Sequence, residues 1–161
     1  MLQAWISPIY MHAASAPCRT YAHAVGRLGR PFPDDTIVLL AGDKGLALGQ
    51  RGLLGKQNLY EHSVRVPLVF AGPGVPEGQR RHALAGLIDV FPTLCDLIDV
   101  EIPESVEGES LQPCLDDDEA SVRDTLLFAY RHFMRGVRDR SGNKLIETAA
   151  AGQGHTPLFD L

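Results

Sequence analysis

The chain has 161 residues, 45% of them hydrophobic and 22% charged, an ordinary globular balance with enough length to bury a substantial core. Its formal net charge of -5 argues against a nucleic-acid backbone as the main partner, and no apolar run approaches the ~20 residues of a membrane-spanning helix. Cys18, Cys95 and Cys114 form an odd, widely spaced set without a CxxC pair, which gives neither a zinc framework nor a disulfide scaffold.

In chain order, residues 1–35 are the least regular. Ala14-Ser15-Ala16 has the form of a signal-cleavage site, but no basic region precedes it and Pro8 and His12 interrupt the apolar stretch. No signal peptide is expected from that pattern. Residues 10–28 are compatible with a helix that Pro17 would break, and residues 31–35 read as a turn-rich connection.

Residues 36–41, Thr-Ile-Val-Leu-Leu-Ala, form a continuous apolar run of the kind buried on both faces of a sheet, and residues 66–71 repeat it. Parallel-type strands are expected at both. Gly42-Asp43-Lys44-Gly45 ends the first run, placing an acid and a base just past its carboxyl end, where open α/β sheets bind ligands. Between the runs lies a polar, glycine-punctuated loop carrying Asp43, Lys44, Arg51, Lys56, Tyr60, Glu61, His62 and Arg65.

Residues 75–81 read as a polar turn and residues 83–88 as a short apolar segment. Asp89 is a candidate N-cap for a helix over 90–98, with Pro92 in its tolerated first turn and Leu94, Leu97 and Ile98 on one apolar face. Residues 102–115 hold Pro103, Gly108 and Pro113 and are expected as extended loop. Asp116-Asp117-Asp118-Glu119 reads as a solvated charge run, since adjacent carboxylates repel unless a fold converges them on a metal. From Arg123 the pattern changes to short strands at 125–130, 134–138, 144–148 and 157–161, with Ser141-Gly142-Asn143 as a turn.

The ordered series Asp43, Gly45, Leu48-Gly49, Gly52-Leu53, Gly55-Lys56, Tyr60-Glu61, Arg65-Val66-Pro67-Leu68 and Gly72-Pro73-Gly74 closely resembles the sulfatase family of the alkaline-phosphatase-like superfamily. The Asp89-x-x-Pro92-Thr93-Leu94 phrase, the Pro103 to Leu111 stretch and the Leu158-Phe159-Asp160-Leu161 ending extend the likeness, and Gly26-Arg27 resembles a pair the family carries before its central strand. The resemblance covers roughly residues 20–161 and corresponds to the later half of a full sulfatase. It implies an α/β fold, part of an alkaline-phosphatase-like mixed sheet flanked by helices, with a small C-terminal antiparallel sheet. It also implies a partial α/β core over residues 1–121, with 1–35 an irregular lead-in, and an antiparallel subdomain over 122–161.

Sulfatases hydrolyse sulfate esters with a formylglycine made in a Cys/Ser-x-Pro/Ala-x-Arg motif, assisted by a divalent cation, usually calcium. No cysteine here stands in that motif, and Asp34-Asp35, in the turn before the central strand, does not match the family's early metal-binding pair. Among matching positions, Asp43 corresponds to a metal-ligand Asp. Lys44 stands where the family has His or Asn, and a protonated Lys cannot ligate a cation. Arg51 stands where relatives often have a sulfate-contacting His, and Lys56 matches the family's sulfate-binding Lys. The resemblance therefore implies a sulfate-like anion site at Lys44, Arg51 and Lys56, calcium only through Asp43, and no turnover by the isolated chain. Two other readings remain open: a non-catalytic anion-binding or interaction module built on the sulfatase core, and a phosphate or phosphonate ester hydrolase of the same superfamily.

Overall fold

The structure is a computed structural model that describes residues 3–5, 33, 35–150 and 153–161. The helix expected over 10–28, the Gly26-Arg27 pair, Asp34 and Cys18 lie outside the described residues. In chain order the strands are β1 (Gln3–Trp5), β2 (Val38–Ala41), β3 (Ala47–Leu48), β4 (Leu54–Gly55), β5 (Leu68–Ala71) and β6 (Arg80–Arg81), then β7 (Thr125–Tyr130), β8 (Met134–Asp139), β9 (Asn143–Ala150), β10 (Gln153–His155) and β11 (Leu158–Asp160). The helices are α1 (Glu61–Val64), α2 (Val90–Leu97) and α3 (Gln112–Asp116). No helix among the described residues is long and apolar enough to cross a membrane.

The chain divides into two compact units. One comprises Met1–Gly42 with Pro67–Val122, the other Asp43–Val66 with Arg123–Leu161.

The first unit is built on a mixed sheet of order β2-β5-β1-β6. β5 is antiparallel to both β2 and β1, while β1 runs parallel to β6. The two apolar runs are therefore antiparallel neighbours, with Val38 opposite Ala71 and Ala41 opposite Leu68, and the expectation of parallel strands is corrected. An apolar run reports burial of both faces but carries no information about strand direction. β5 is buried throughout, and Leu68 and Phe70 pack with Val75, Ala83, Ala85, Leu111, Cys114 and Leu115 into one core, against which Leu94 and Leu97 of α2 are laid.

Two sequence phrases lock together here. Asp89 is fully buried, and its carboxylate accepts the backbone N–H of Gly86 at 2.7 Å and of Glu109 at 3.0 Å. It stands at the N-cap position of α2 but makes no cap bond to that helix, so it staples two loops instead. Four residues on, the Thr93 hydroxyl accepts the N–H of Leu111 at 2.9 Å. Gly108 passes so close that an added Cβ would meet the Ile88 carbonyl oxygen at 2.1 Å. Residues 102–115 are accordingly not all extended: once the staple fixes Leu111, the chain turns into α3, with Pro113 in its opening turn where a missing N–H costs nothing. Arg81 is buried and caps α3, its Nε donating to the Cys114 and Leu115 carbonyls at 2.9 Å each. Asp116 to Glu119 are exposed, and Asp118 accepts from the His82 N–H at 3.1 Å.

The second unit is an antiparallel sheet of order β10-β9-β8-β7, with β11 also paired to β9. Both short strands share one edge of β9: β11 lies along Asn143 to Leu145, and β10 along Thr148 to Ala150. Exposure alternates along β7, β8 and β9 with period two, so each strand presents one face to Leu59 and its neighbours and the other to solvent.

Removing the Asp89 carboxylate leaves two backbone donors unpaired around a buried site. Asp89→Ala is expected to lose about 3 kcal/mol of stability and Thr93→Val about 1–2 kcal/mol, read from urea midpoints at constant slope.

Candidate functional site

The loop expected to carry the chemistry, residues 43–66, folds onto the inner face of the C-terminal sheet, and a single carboxylate holds it there. Glu61 opens α1. Its Oε1 accepts from Lys144 Nζ at 2.7 Å, and its Oε2 accepts from Arg138 Nη1 at 3.0 Å and lies 3.6 Å from Arg65 Nε. Lys144 and Arg138 are buried, with side-chain exposures of 1% and 4%. The Lys144 ammonium also sits 4.7 Å from the centroid of the Phe128 ring, which supplies the negative face a desolvated cation needs. Burial pushes both the Lys144 and Arg138 pKa values down, and the charge and hydrogen bonds of Glu61 oppose that shift. Leu59 is buried beside Gly136, where a Cβ would meet its side chain at 3.3 Å. The start of the loop is pinned in turn by Gly45, whose N–H donates to the Ser63 carbonyl at 2.9 Å.

Within this frame Arg51 takes a left-handed conformation at φ 54°, between Gly49 at φ 107° and Gly52 at φ 71°. An L-residue rarely adopts this, so something outside the backbone must hold it. Two aromatic rings do: the guanidinium lies 4.8 Å from the Phe159 centroid and 5.3 Å from that of Tyr60, and these two rings meet edge to face at 5.7 Å. Lys44 lies 5.6 Å from the centroid of Tyr130, at the end of β7. Lys56, at the Gly55-Lys56 step, is exposed and has no hydrogen-bond or ion-pair partner among the described residues. Asp43 is exposed just past β2.

A cavity of about 60 Å³ lies where the loop meets the sheet, lined by Arg51, Tyr60, Glu61, His62, Lys144, Ile146, Phe159 and Leu161. Arg51 thus shares a site with Lys144, whereas Lys44, Lys56 and Asp43 are not among the lining residues. His62 is half-buried, and its Nε2 is enclosed without a hydrogen-bond partner. Burial, then the charges of Arg51 and Lys144, hold its pKa below 6.5.

Asp43 does not by itself fit calcium, which takes six to eight oxygen ligands. Among the described residues no three His, Cys, Asp or Glu side chains converge in a way that could hold a metal ion. Sequence reasoning missed Arg138, Lys144, Tyr130 and Phe159. The first two had a signal: period-two alternation places them on the same face as Gly136 and Ile146, and charges on an inward face demand a counter-ion.

Comparison with known proteins gives a consistent result. The profile of the N-sulphoglucosamine sulphohydrolase C-terminal family matches residues 49–143. The chain is 32% identical over 114 residues to an N-acetylglucosamine-6-O-sulfatase of Bacteroides thetaiotaomicron, covering 70% of this chain and 20% of the relative. It is 45% identical over 83 residues to a choline-sulfatase of Rhizobium meliloti, covering 50% of this chain and 16% of the relative. Among solved structures, one bound to its substrate D-glucosamine-2-N,6-O-disulfate superposes with TM-score 0.70 at 26% identity, covering 90% of this chain and 30% of that one. A phosphonate monoester hydrolase from Silicibacter pomeroyi superposes with TM-score 0.68 at 29% identity, covering 88% of this chain and 31% of that one. The chain thus spans less than a third of the length of each of these proteins.

Glu61→Ala would strand two buried cations and is expected to destabilise the second unit by about 3–5 kcal/mol, with Lys144→Met in the same chain recovering part of the loss. Faster amide exchange along β8 and β9 would report it. The pH effect of His62 has a definite sign. Unfolded, the imidazole takes a proton near 6.5; folded, only at lower pH, so this contribution to stability is intact above 6.5 and declines as pH falls below it. Stability measured between pH 7.5 and 5 should fall less steeply in His62→Asn than in the unmodified chain.

Proposed function

We propose, on the premise that the chain belongs to the sulfatase family, that it supplies one wall of an oxyanion cleft, the cationic loop of residues 43–56, which itself carries no Cys, Ser or Thr nucleophile. The observation that carries this is Lys56. It stands at the position that resembles the family's sulfate-binding Lys, exposed and without a partner among the described residues, on a loop anchored to a sheet. An ammonium so placed can meet the non-bridging oxygens of a sulfate ester and stabilise charge that develops there. Lys44 and Arg51 add to the same field, because an aromatic ring orients a cation without neutralising it.

Charge stabilisation alone does not hydrolyse an ester. The covalent route needs a nucleophile, and residues 43–56 hold no Cys, Ser or Thr; the Ser-x-Pro-x-Arg spacing occurs in this sequence at Ser15-Ala16-Pro17-Cys18-Arg19, outside the described residues. The reaction assigned to the site is therefore sulfate-ester hydrolysis completed by groups outside these residues, with weak anion binding as the property of the chain alone. The fit to a phosphonate monoester hydrolase favours a second reading, in which the tetrahedral anion is phosphorus-centred and the same three cations serve it.

Incubation with an aryl sulfate ester and with an aryl phosphonate ester is expected to release no phenol above buffer. Reproducible turnover that Lys56→Ala abolishes would overturn the assignment. Calorimetric titration should show weak, salt-sensitive sulfate binding that Lys56→Ala lowers by at least about fivefold, equivalent to roughly 1 kcal/mol. No tight calcium binding is expected, and Lys44→Asn tests whether the ammonium repels the ion. Micromolar calcium affinity in the unmodified chain would contradict this reading.

A further inference from the structure

The C-terminal sheet has a second face that the proposed site does not use. Register places Leu127 of β7 opposite Val137 of β8, Val137 opposite Leu145 of β9, and Leu145 opposite Leu158 of β11. Four apolar side chains thus form one row across four strands, roughly 14 Å long at about 4.8 Å per strand. Leu127 is 80% exposed, Leu158 69% and Leu145 37%. Scattered surface leucines need no explanation, but a contiguous row does.

We propose that this face pairs two copies of the chain, sheet against sheet, about a two-fold axis lying between them along the apolar row. Charge register selects the second copy as occupant. Arg135 and Asp139 flank Val137 on β8, two residues to either side and on the same face. A two-fold along the row reverses strand direction across the interface, so Arg135 of each copy faces Asp139 of the other. A two-fold running along β8 itself would oppose Asp139 to Asp139 and is disfavoured, whereas one between β8 and β9 would set Arg135 against Glu147 of the other copy. In the first arrangement the four apolar residues meet their own equivalents, the self-complementarity a two-fold contact requires. The charges remain available for this role. Arg135 donates through Nη1 to the Arg131 and Met134 carbonyls at 2.7 and 2.8 Å, leaving Nη2 and Nε. Each Asp139 oxygen accepts a bond from Asn143 at 2.8 Å, and the Ser141 and Gly142 N–H groups also bond this solvent-facing carboxylate, which keeps its negative charge. Packing at the ~30° typical of aligned sheets keeps the central pairs in reach. The surface is small, which places it among weak associations with a dissociation constant on the order of 10 µM.

The test is sedimentation equilibrium of the full 161-residue chain from about 1 to 200 µM. The expected result is a monomer–dimer equilibrium. Leu127→Asp, at a position exposed enough to leave the fold intact by circular dichroism, should make the chain monomeric throughout. Arg135→Glu should weaken the dimer at least tenfold at low salt, and added salt should restore part of that loss, whereas Ile98→Asp, at an exposed site in the other unit, should change nothing. A chain that stays monomeric at 200 µM would overturn the proposal. So would a dimer indifferent to Leu127→Asp, or one that Ile98→Asp disrupts.

Discussion

One carboxylate organises the second unit. Glu61 faces three cations, two of them buried, and the arrangement is asymmetric in charge: Arg65, Arg138 and Lys144 carry three positive charges against one negative. Burying two cations is unfavourable by itself, and the downward pKa shifts of Lys144 and Arg138 record that cost. The arrangement persists because Lys144 and Arg138 bond Glu61 at 2.7 and 3.0 Å and because Phe128 receives the Lys144 ammonium on its face. A residual positive field is left behind, and it reaches His62 and the cavity beside Arg51. The structural anchor and the positive field on His62 therefore share Lys144. Loosening the first would redistribute the second.

Much of this was legible in the sequence, for identifiable reasons. The C-terminal strands could be placed because alternation and a Ser-Gly-Asn turn are local signals, and local signals survive without tertiary information. The helix at 90–97 announced itself by its apolar spacing. Strand direction did not, since β2 and β5 look alike whichever way they run. The role of Asp89 was misread for a related reason: N-cap chemistry is a local expectation, yet its two donors are Gly86 and Glu109, and the second lies twenty residues away. The start of α3 was hidden by Pro113, a residue that ends helices from inside but is harmless in a first turn.

Of the candidate site, the residue types were visible and their company was not. Lys44, Arg51 and Lys56 are alike in a sequence, all cations on a glycine-rich loop. The structure separates them by what lies beneath: Tyr130 under Lys44, Tyr60 and Phe159 around Arg51, and nothing among the described residues against Lys56. Tyr130 and Phe159 come from β7 and β11, and no local pattern links them to the loop. The Arg51 guanidinium lies within reach of both rings, and its backbone holds a conformation rare for an L-residue.

The bond between Glu61 and Lys144 joins residues 83 apart in the chain, and that separation acts on time as well as on space. A ribosome adding roughly 5–20 residues each second takes about 4 to 17 s to travel from one to the other. Through that interval the loop of residues 43–66 is already synthesised, while the sheet that neutralises and shelters it does not yet exist. Leu46, Leu48 and Leu54, exposed even in the finished fold, have no cover at all during it. A nascent chain with such a delay is a natural client for factors that shield apolar loops, and slower translation through residues 125–145 lengthens its need for them.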